Sequence, residues 1–140
     1  MIDDLYSAKL LRLAAEMPRA GRLADPHASS EKVSKLCGSR IIVDVKVAGG
    51  RVTDFAQDVK ACALGQASAA LMAANACGRS VEELDSARDA LAAYLADTRG
   101  DPGAWPGLAI FAPAVPHRAR HASILLAFDA VAQAAREALH

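Results

Sequence analysis

Ile41-Ile42-Val43-Asp44-Val45-Lys46-Val47-Ala48-Gly49-Gly50-Arg51-Val52-Thr53-Asp54-Phe55 carries the clearest periodicity in the chain. Ile41, Val43, Val45 and Val47 alternate with Ile42, Asp44, Lys46 and Ala48, the period of two of a strand with one buried and one solvated face. Gly49-Gly50 supplies the positive φ angles of a two-residue hairpin turn. The spacing predicts an antiparallel hairpin of strands 41–48 and 51–59. Its alternation slips between Val52 and Phe55, which predicts a bulge or extra twist there.

On the N-terminal side, Ile2, Leu5, Tyr6, Leu10, Leu13 and Met17 keep helical spacing up to the stop at Pro18. Residues 21–35 are polar turn material, with short edge strands allowed around Leu23 and Val33. On the C-terminal side the period changes after Cys62. Residues 63–76 are small and apolar almost all round, a buried helix closed by Gly78. Ser80 and Glu83 form a capping box for a helix over 81–98, with a break near Asp85. Residues 100–116 are rich in glycine and proline, so they predict a loop with one short turn around Trp105, read as an anchor covering the core edge. A last helix over 120–139 presents Ile124, Phe128, Val131, Ala135 and Leu139. The order predicts one α+β domain over 1–140, a small antiparallel meander with helices packed on one face.

Composition narrows the function classes. The chain has 140 residues, 53% of them hydrophobic, and 16 basic residues balance 16 acidic ones. A neutral chain has no electrostatic pull toward nucleic acid or an anionic membrane. The 33 alanines against six aromatics favour helices over any fibrous or disulfide-stapled design. No membrane span and no signal-like start appear, which predicts a cytoplasmic protein. No Gly-rich phosphate loop, nucleophilic serine signature or paired catalytic carboxylates are found, so nothing in the sequence points to nucleotide chemistry.

The three cysteines, Cys37, Cys62 and Cys77, are an odd number in a chain read as cytoplasmic, which argues for reduced thiols. Their spacing matches no local metal motif. Cys62 falls between a strand end and a helix start, where free backbone N–H groups and the helix dipole stabilise a thiolate. Such a thiolate ligates metal or carries sulfur; the competing reading is a cysteine that only packs against the helix. Cys37 precedes Gly38 at the turn into the first strong strand. Cys77 lies a helix length, roughly 20 Å, from Cys62, and reads as structural. The basic run His117-Arg118-Ala119-Arg120-His121 opens a helix at its positive dipole end, which is mildly unfavourable. That leaves solvation, or a docking or ligand patch beside the thiols.

Together these segments resemble the U-type iron–sulfur cluster assembly scaffolds, the IscU/NifU-N/SufU family. Cys62 with the following Ala63-Leu64-Gly65-Gln66-Ala67-Ser68 is similar to the family's cysteine and small-residue run. Cys37-Gly38-Ser39 resembles its Cys-Gly-Asp, and Gly78-Arg79-Ser80 with Glu82-Glu83 its Gly-Lys-Thr/Ser and acidic residues. Pro18-Arg19-Ala20-Gly21 resembles its Pro-Arg-Asn-x-Gly. The resemblance implies a scaffold that takes sulfur from a cysteine desulfurase and passes clusters to recipient apo-proteins. It also implies an Hsp70-type chaperone as partner, although Pro113-Ala114-Val115-Pro116 matches that docking segment only loosely. The ligand pattern departs in two places. Ser39 stands for the aspartate, and His121 or Ala122, depending on register, stands for the third cysteine.

The ligand set implied is therefore Cys37, Cys62 and His121, with Ser39 and His117 as minor contributors. It would hold a two-iron, two-sulfur cluster or Zn²⁺, since imidazole replaces thiolate in both kinds of site. Two alternatives stand beside the cluster scaffold or carrier. One is a scaffold-fold module holding no metal and serving as an accessory subunit of a larger complex; the other is a zinc-bound sulfur acceptor.

Overall fold

The computed structural model describes residues 6–35 and 38–139. Cys37, and Ile2 and Leu5 of the expected first helix, lie outside the described residues. Helix α1 is Ala8–Ala15, shorter than its apolar spacing predicted. The Ser7 side chain accepts a hydrogen bond from the Leu10 N–H and fixes the start. Glu16 is already extended, as the chain approaching Pro18 must be.

Three strands follow, β1 (Ala28–Ser34), β2 (Ser39–Ala48) and β3 (Arg51–Lys60), all antiparallel in the order β1-β2-β3. The expected hairpin is present, and Gly49 and Gly50 turn it with φ of +61° and +76°. Lys46 pairs with Asp54 and Val47 with Val52, so Thr53 is an extra residue on β3. The bulge thus falls where the alternation slips. By contrast β1 is a full strand where only short edge pieces were expected. Its buried positions are Ser30 and Ser34, small polar residues that carry no hydrophobic signal.

Asp44 corrects the expectation of a solvated strand face, because it is wholly buried. The Arg22 guanidinium grips both its oxygens, at 2.7 and 3.0 Å, the Leu23 N–H donates at 3.0 Å and the Ser29 hydroxyl at 2.6 Å. The segment before β1 therefore folds back over β2. Burial pushes the Asp44 carboxyl up, but the donors from Arg22, Ser29 and Leu23 outweigh it and hold it below its ordinary value. Gln57 on β3 is also buried; its amide donates to the Pro18 and Ala69 carbonyls. Its backbone pairs with Arg19 and Gly21, which seats the Pro18-Arg19-Ala20-Gly21 run against the edge of β3.

Helix α2 (Ala63–Asn75) is buried on most sides, as its uniform small residues require. It ends at Asn75, before Gly78, which lies beyond it with φ +90°. Helix α3 (Val81–Leu95) has the predicted capping box and runs without a break at Asp85. The predicted turn is present beside Trp105, at Pro106 and Gly107, and it leads into an unpredicted 3-10 helix at Leu108–Ala114. Trp105 itself is buried, donates its indole N–H to the Leu71 carbonyl at 2.9 Å and meets Phe128 edge-on. A short 3-10 turn, Arg118–Arg120, leads into helix α4 (His121–Ala138). This helix lies along β1 and β2 and touches α2 and α3. Its apolar face is buried as expected except for Leu139, which falls past the last helical residue and is exposed. Phe55, Phe111 and Phe128 are the largest fully buried side chains of the core, each stabilising by about 2–3 kcal/mol through area alone.

Candidate functional site

Where β2 begins and β3 ends, the chain turns directly into α2. Gly38 takes φ +70° before Ser39 opens β2. Arg40 pairs with Lys60, the last residue of β3, and two residues later Cys62 caps α2. Gly38, Ser39, Val59, Lys60, Ala61, Cys62 and Gln66 line an open cleft of about 450 Å³ at this junction.

Cys62 has extended backbone, φ −68° and ψ 172°, and makes no side-chain cap hydrogen bond. Its carbonyl accepts the first intrahelical bond, from the Gln66 N–H at 2.9 Å, and its sulfur takes no part in capping the first turn of α2. The thiol is half-buried and free of any disulfide. Gln66 lies one helical turn on, which brings its amide to the same cleft.

The floor of this region is made of small residues. A Cβ on Gly65 would stand 2.8 Å from the Ala61 Cβ and 3.3 Å from the Ser123 carbonyl oxygen. The first turns of α2 and α4 therefore abut. The Ser68 hydroxyl donates to the Ile124 carbonyl, and the buried Ser39 and Ser123 hydroxyls are 3.3 Å apart. Ser39, in the position of the family's aspartate, thus reaches the start of α4. A hydroxyl stays neutral where a carboxylate would carry charge.

His121 opens α4 but is not among the residues lining the cleft. Its Nε2 lies 2.9 Å from the Ala114 carbonyl and 3.0 Å from that of Val115. Two carbonyls accept only, so Nε2 carries the proton, and Nδ1 is the nitrogen left for a metal in the neutral ring. Ala122 and His117 are exposed. Among the described residues no three His, Cys, Asp or Glu side chains converge as metal ligands. The structure thus joins Cys62 to Gly38 and Ser39 of the first cysteine motif, and places His121 on the adjoining helix start.

Cys77 lies beyond the other end of α2, half-buried. Burial pushes its thiol up, opposed by the nearby Arg19 charge and reinforced by Asp54. Lys60 and Gln66 escaped sequence reasoning; the signal available was their spacing from Cys62, two before and four after.

A three-stranded meander covered by helices, with a cysteine at the strand-to-helix junction, defines the U-type scaffold class. The chain belongs to the NifU-like N-terminal domain family, which matches residues 5–137. It is 46% identical to the N-terminal part of a nitrogen-fixing NifU-like protein from Brucella abortus, with 99% of this chain and 96% of that one covered and a TM-score of 0.93. A putative iron–sulfur cluster assembly scaffold protein for the SUF system from Fervidobacterium islandicum shares the fold at 17% identity and a TM-score of 0.87, covering 95% of this chain and 98% of that one. A hypothetical protein known by crystal structure does so at 21% and 0.83, covering 96% and 98%. No curated protein matches the chain.

Proposed function

We propose that the chain is an assembly scaffold or carrier, and not an enzyme, that receives sulfur and iron as cargo at the Cys62 cleft. The observation that carries this reading is the junction itself: one cleft holds the Cys62 cap and the Gly38-Ser39 continuation of the other cysteine motif. Cys37, Cys62 and His121 are the ligands proposed for a two-iron, two-sulfur cluster, with His121 acting through Nδ1. Ser39 and His117 are proposed as minor contributors. Sulfur arrives when the Cys62 thiolate attacks the outer sulfur of a desulfurase persulfide, forming a new S–S bond and releasing the donor's thiolate. Assembled clusters pass to cytoplasmic apo-proteins. Among the described residues no helix is long and apolar enough to cross a membrane.

A second reading, a metal-free accessory module, is favoured by two observations. The hydroxyl of Ser39 brings no negative charge to the site, and His121 does not line the Cys62 cleft. Reconstitution with ferrous iron and sulfide separates the two. The scaffold reading expects iron and acid-labile sulfide on the parent protein, lost in Cys62→Ser. His121→Cys retaining more cluster than Ala122→Cys assigns the third position to His121, and the reverse assigns it to Ala122. Zinc without sulfide on the freshly purified protein identifies a sulfur acceptor, and no metal on the purified protein or on any reconstituted variant favours the accessory module.

A further inference from the structure

A second cleft, of about 250 Å³, lies between α3 and α4 beside β1, and its lining is almost wholly polar. Lys32 of β1, Arg88 of α3 and Arg136 of α4 bring three positive charges to it, against Asp85 and Asp129. Asp129 stands six residues along α4 from Ser123, about 9 Å by helical rise, so this cleft is separate from the thiol site.

Its donors are not used up within the protein. The Arg88 Nε is buried without a hydrogen-bond partner. Arg88 meets Asp129 only at 3.5 Å and spends its other terminal nitrogen on Asp89 at 2.8 Å. Arg136 pairs with Asp85 through one nitrogen of five available N–H bonds. Among the described residues Lys32 has no ion-pair partner. A donor left unmade is costly, so the Arg88 guanidinium gains from an acceptor brought into the cleft. Burial pushes the Asp129 carboxyl up, against the opposing pull of Arg88 and Lys32.

An apolar ligand finds only Ala132 here. A cation meets a surplus of like charge. A planar or tetrahedral oxyanion offers the acceptors that a guanidinium and an ammonium together require. We infer that the cleft bounded by β1, α3 and α4 is a binding site for a small oxyanion, a phosphate or carboxylate group, held by Lys32, Arg88 and Arg136. The site is independent of the cluster reading, because it needs no metal.

Calorimetric titration of the metal-free protein with inorganic phosphate, and separately with citrate, tests it. Saturable one-site binding of either probe is expected, and the probe that binds names the source of the oxyanion. Lys32→Gln removes a charge that makes no direct ion pair and acts on Asp129 only through space, so it keeps the fold and should weaken binding at least tenfold. Arg88→Gln should do the same, with circular dichroism confirming a folded chain. Lys60→Gln, at the thiol cleft, should leave the affinity unchanged. Absence of saturable binding by both probes overturns the site, as does binding that survives Lys32→Gln but is lost in Lys60→Gln.

Discussion

At the N-terminal end of α2, Cys62 sits among small side chains: Gly65, Ser39, Ser68 and Ser123 bring the helices close through hydroxyls and bare backbone. At the other end the chain around Cys77 is fastened by long charged ones. Arg51 donates to the Gly78 carbonyl and to Glu83, both at 2.7 Å. Arg79 pairs with Glu83 at 3.3 Å and lies over the Trp105 ring. Backbone bonds join Val52 to Gly78 and Arg79, so the turn after α2 is stitched to the hairpin. One end of the helix is clasped by charged side chains, and at the other a half-buried thiol packs at the core edge beside an open cleft, with no cap hydrogen bond on its sulfur. Anchoring and chemistry are thus divided along a single helix.

The sharpest break of this comparison is chemical. Cys62→Ser should reduce retained iron and sulfide by at least tenfold, whereas Cys77→Ser should leave both near the parent value. In the metal-free protein, iodoacetamide should modify Cys77 slowly at neutral pH and faster as pH rises, because burial holds that thiol protonated. Peptide mass spectrometry reads both sites at once. Equal loss of cluster from the two serine variants would contradict the division of labour.

Next in size is the close approach at the open end. Gly65→Ala places a methyl 2.8 Å from the Ala61 Cβ and against the Ser123 carbonyl, so α2 and α4 must separate. A loss of about 1–3 kcal/mol in urea unfolding is expected. If Gly65→Ala proves neutral, the helices are not packed as tightly as described. At the clasped end, Ser80→Ala removes the hydroxyl that accepts from the Glu83 N–H and should cost about 1 kcal/mol. Cluster retention should be unaffected by Ser80→Ala and reduced by Gly65→Ala.

What the sequence made legible follows the range of the interactions. The hairpin was readable because alternation and Gly49-Gly50 are local, and Cys62 because a strand end and a helix start adjoin it. Asp44 was misread as solvated, since its partners Arg22 and Ser29 lie 22 and 15 residues away and nothing nearby marks them. The Ser39–Ser123 contact spans 84 residues and involves two ordinary serines. His121 was read as a ligand candidate from the family resemblance, as one of two residues that could stand for the third cysteine. The carbonyls that hold its Nε2 come from the 3-10 helix in the Gly- and Pro-rich stretch, whose geometry periodicity does not report. Edge strand β1 hides its buried face behind serines for the same reason.

The smallest expected effect separates the two ends by acid. Glu83 receives the Ser80 backbone N–H first, then Arg51 and Arg79, and these donors hold its carboxyl at about 2, below the ordinary 4.5. A depressed carboxyl stabilises the fold fully above the unfolded value, and that contribution is lost as pH falls through the folded one. The clasp should therefore loosen between pH 4.5 and about 2. Asp44 and Asp101 are also held below their ordinary value and add acid dependence of their own, so the parent protein alone cannot isolate the clasp. Glu83→Gln keeps the shape and removes only the titration at the clasp. In thermal melts from pH 5 to 2.5 its midpoint should fall less steeply than the parent's, and the difference should shrink at high salt, since these charges are exposed and screened. Amide exchange sharpens the outcome: protection at Gly78 and Glu83 should drop with acid in the parent and stay flat in Glu83→Gln, while Gln66 should respond equally in both. Parallel pH slopes in the two proteins would show that the clasp is not electrostatic, leaving the capping hydroxyl and the backbone stitches to hold that end.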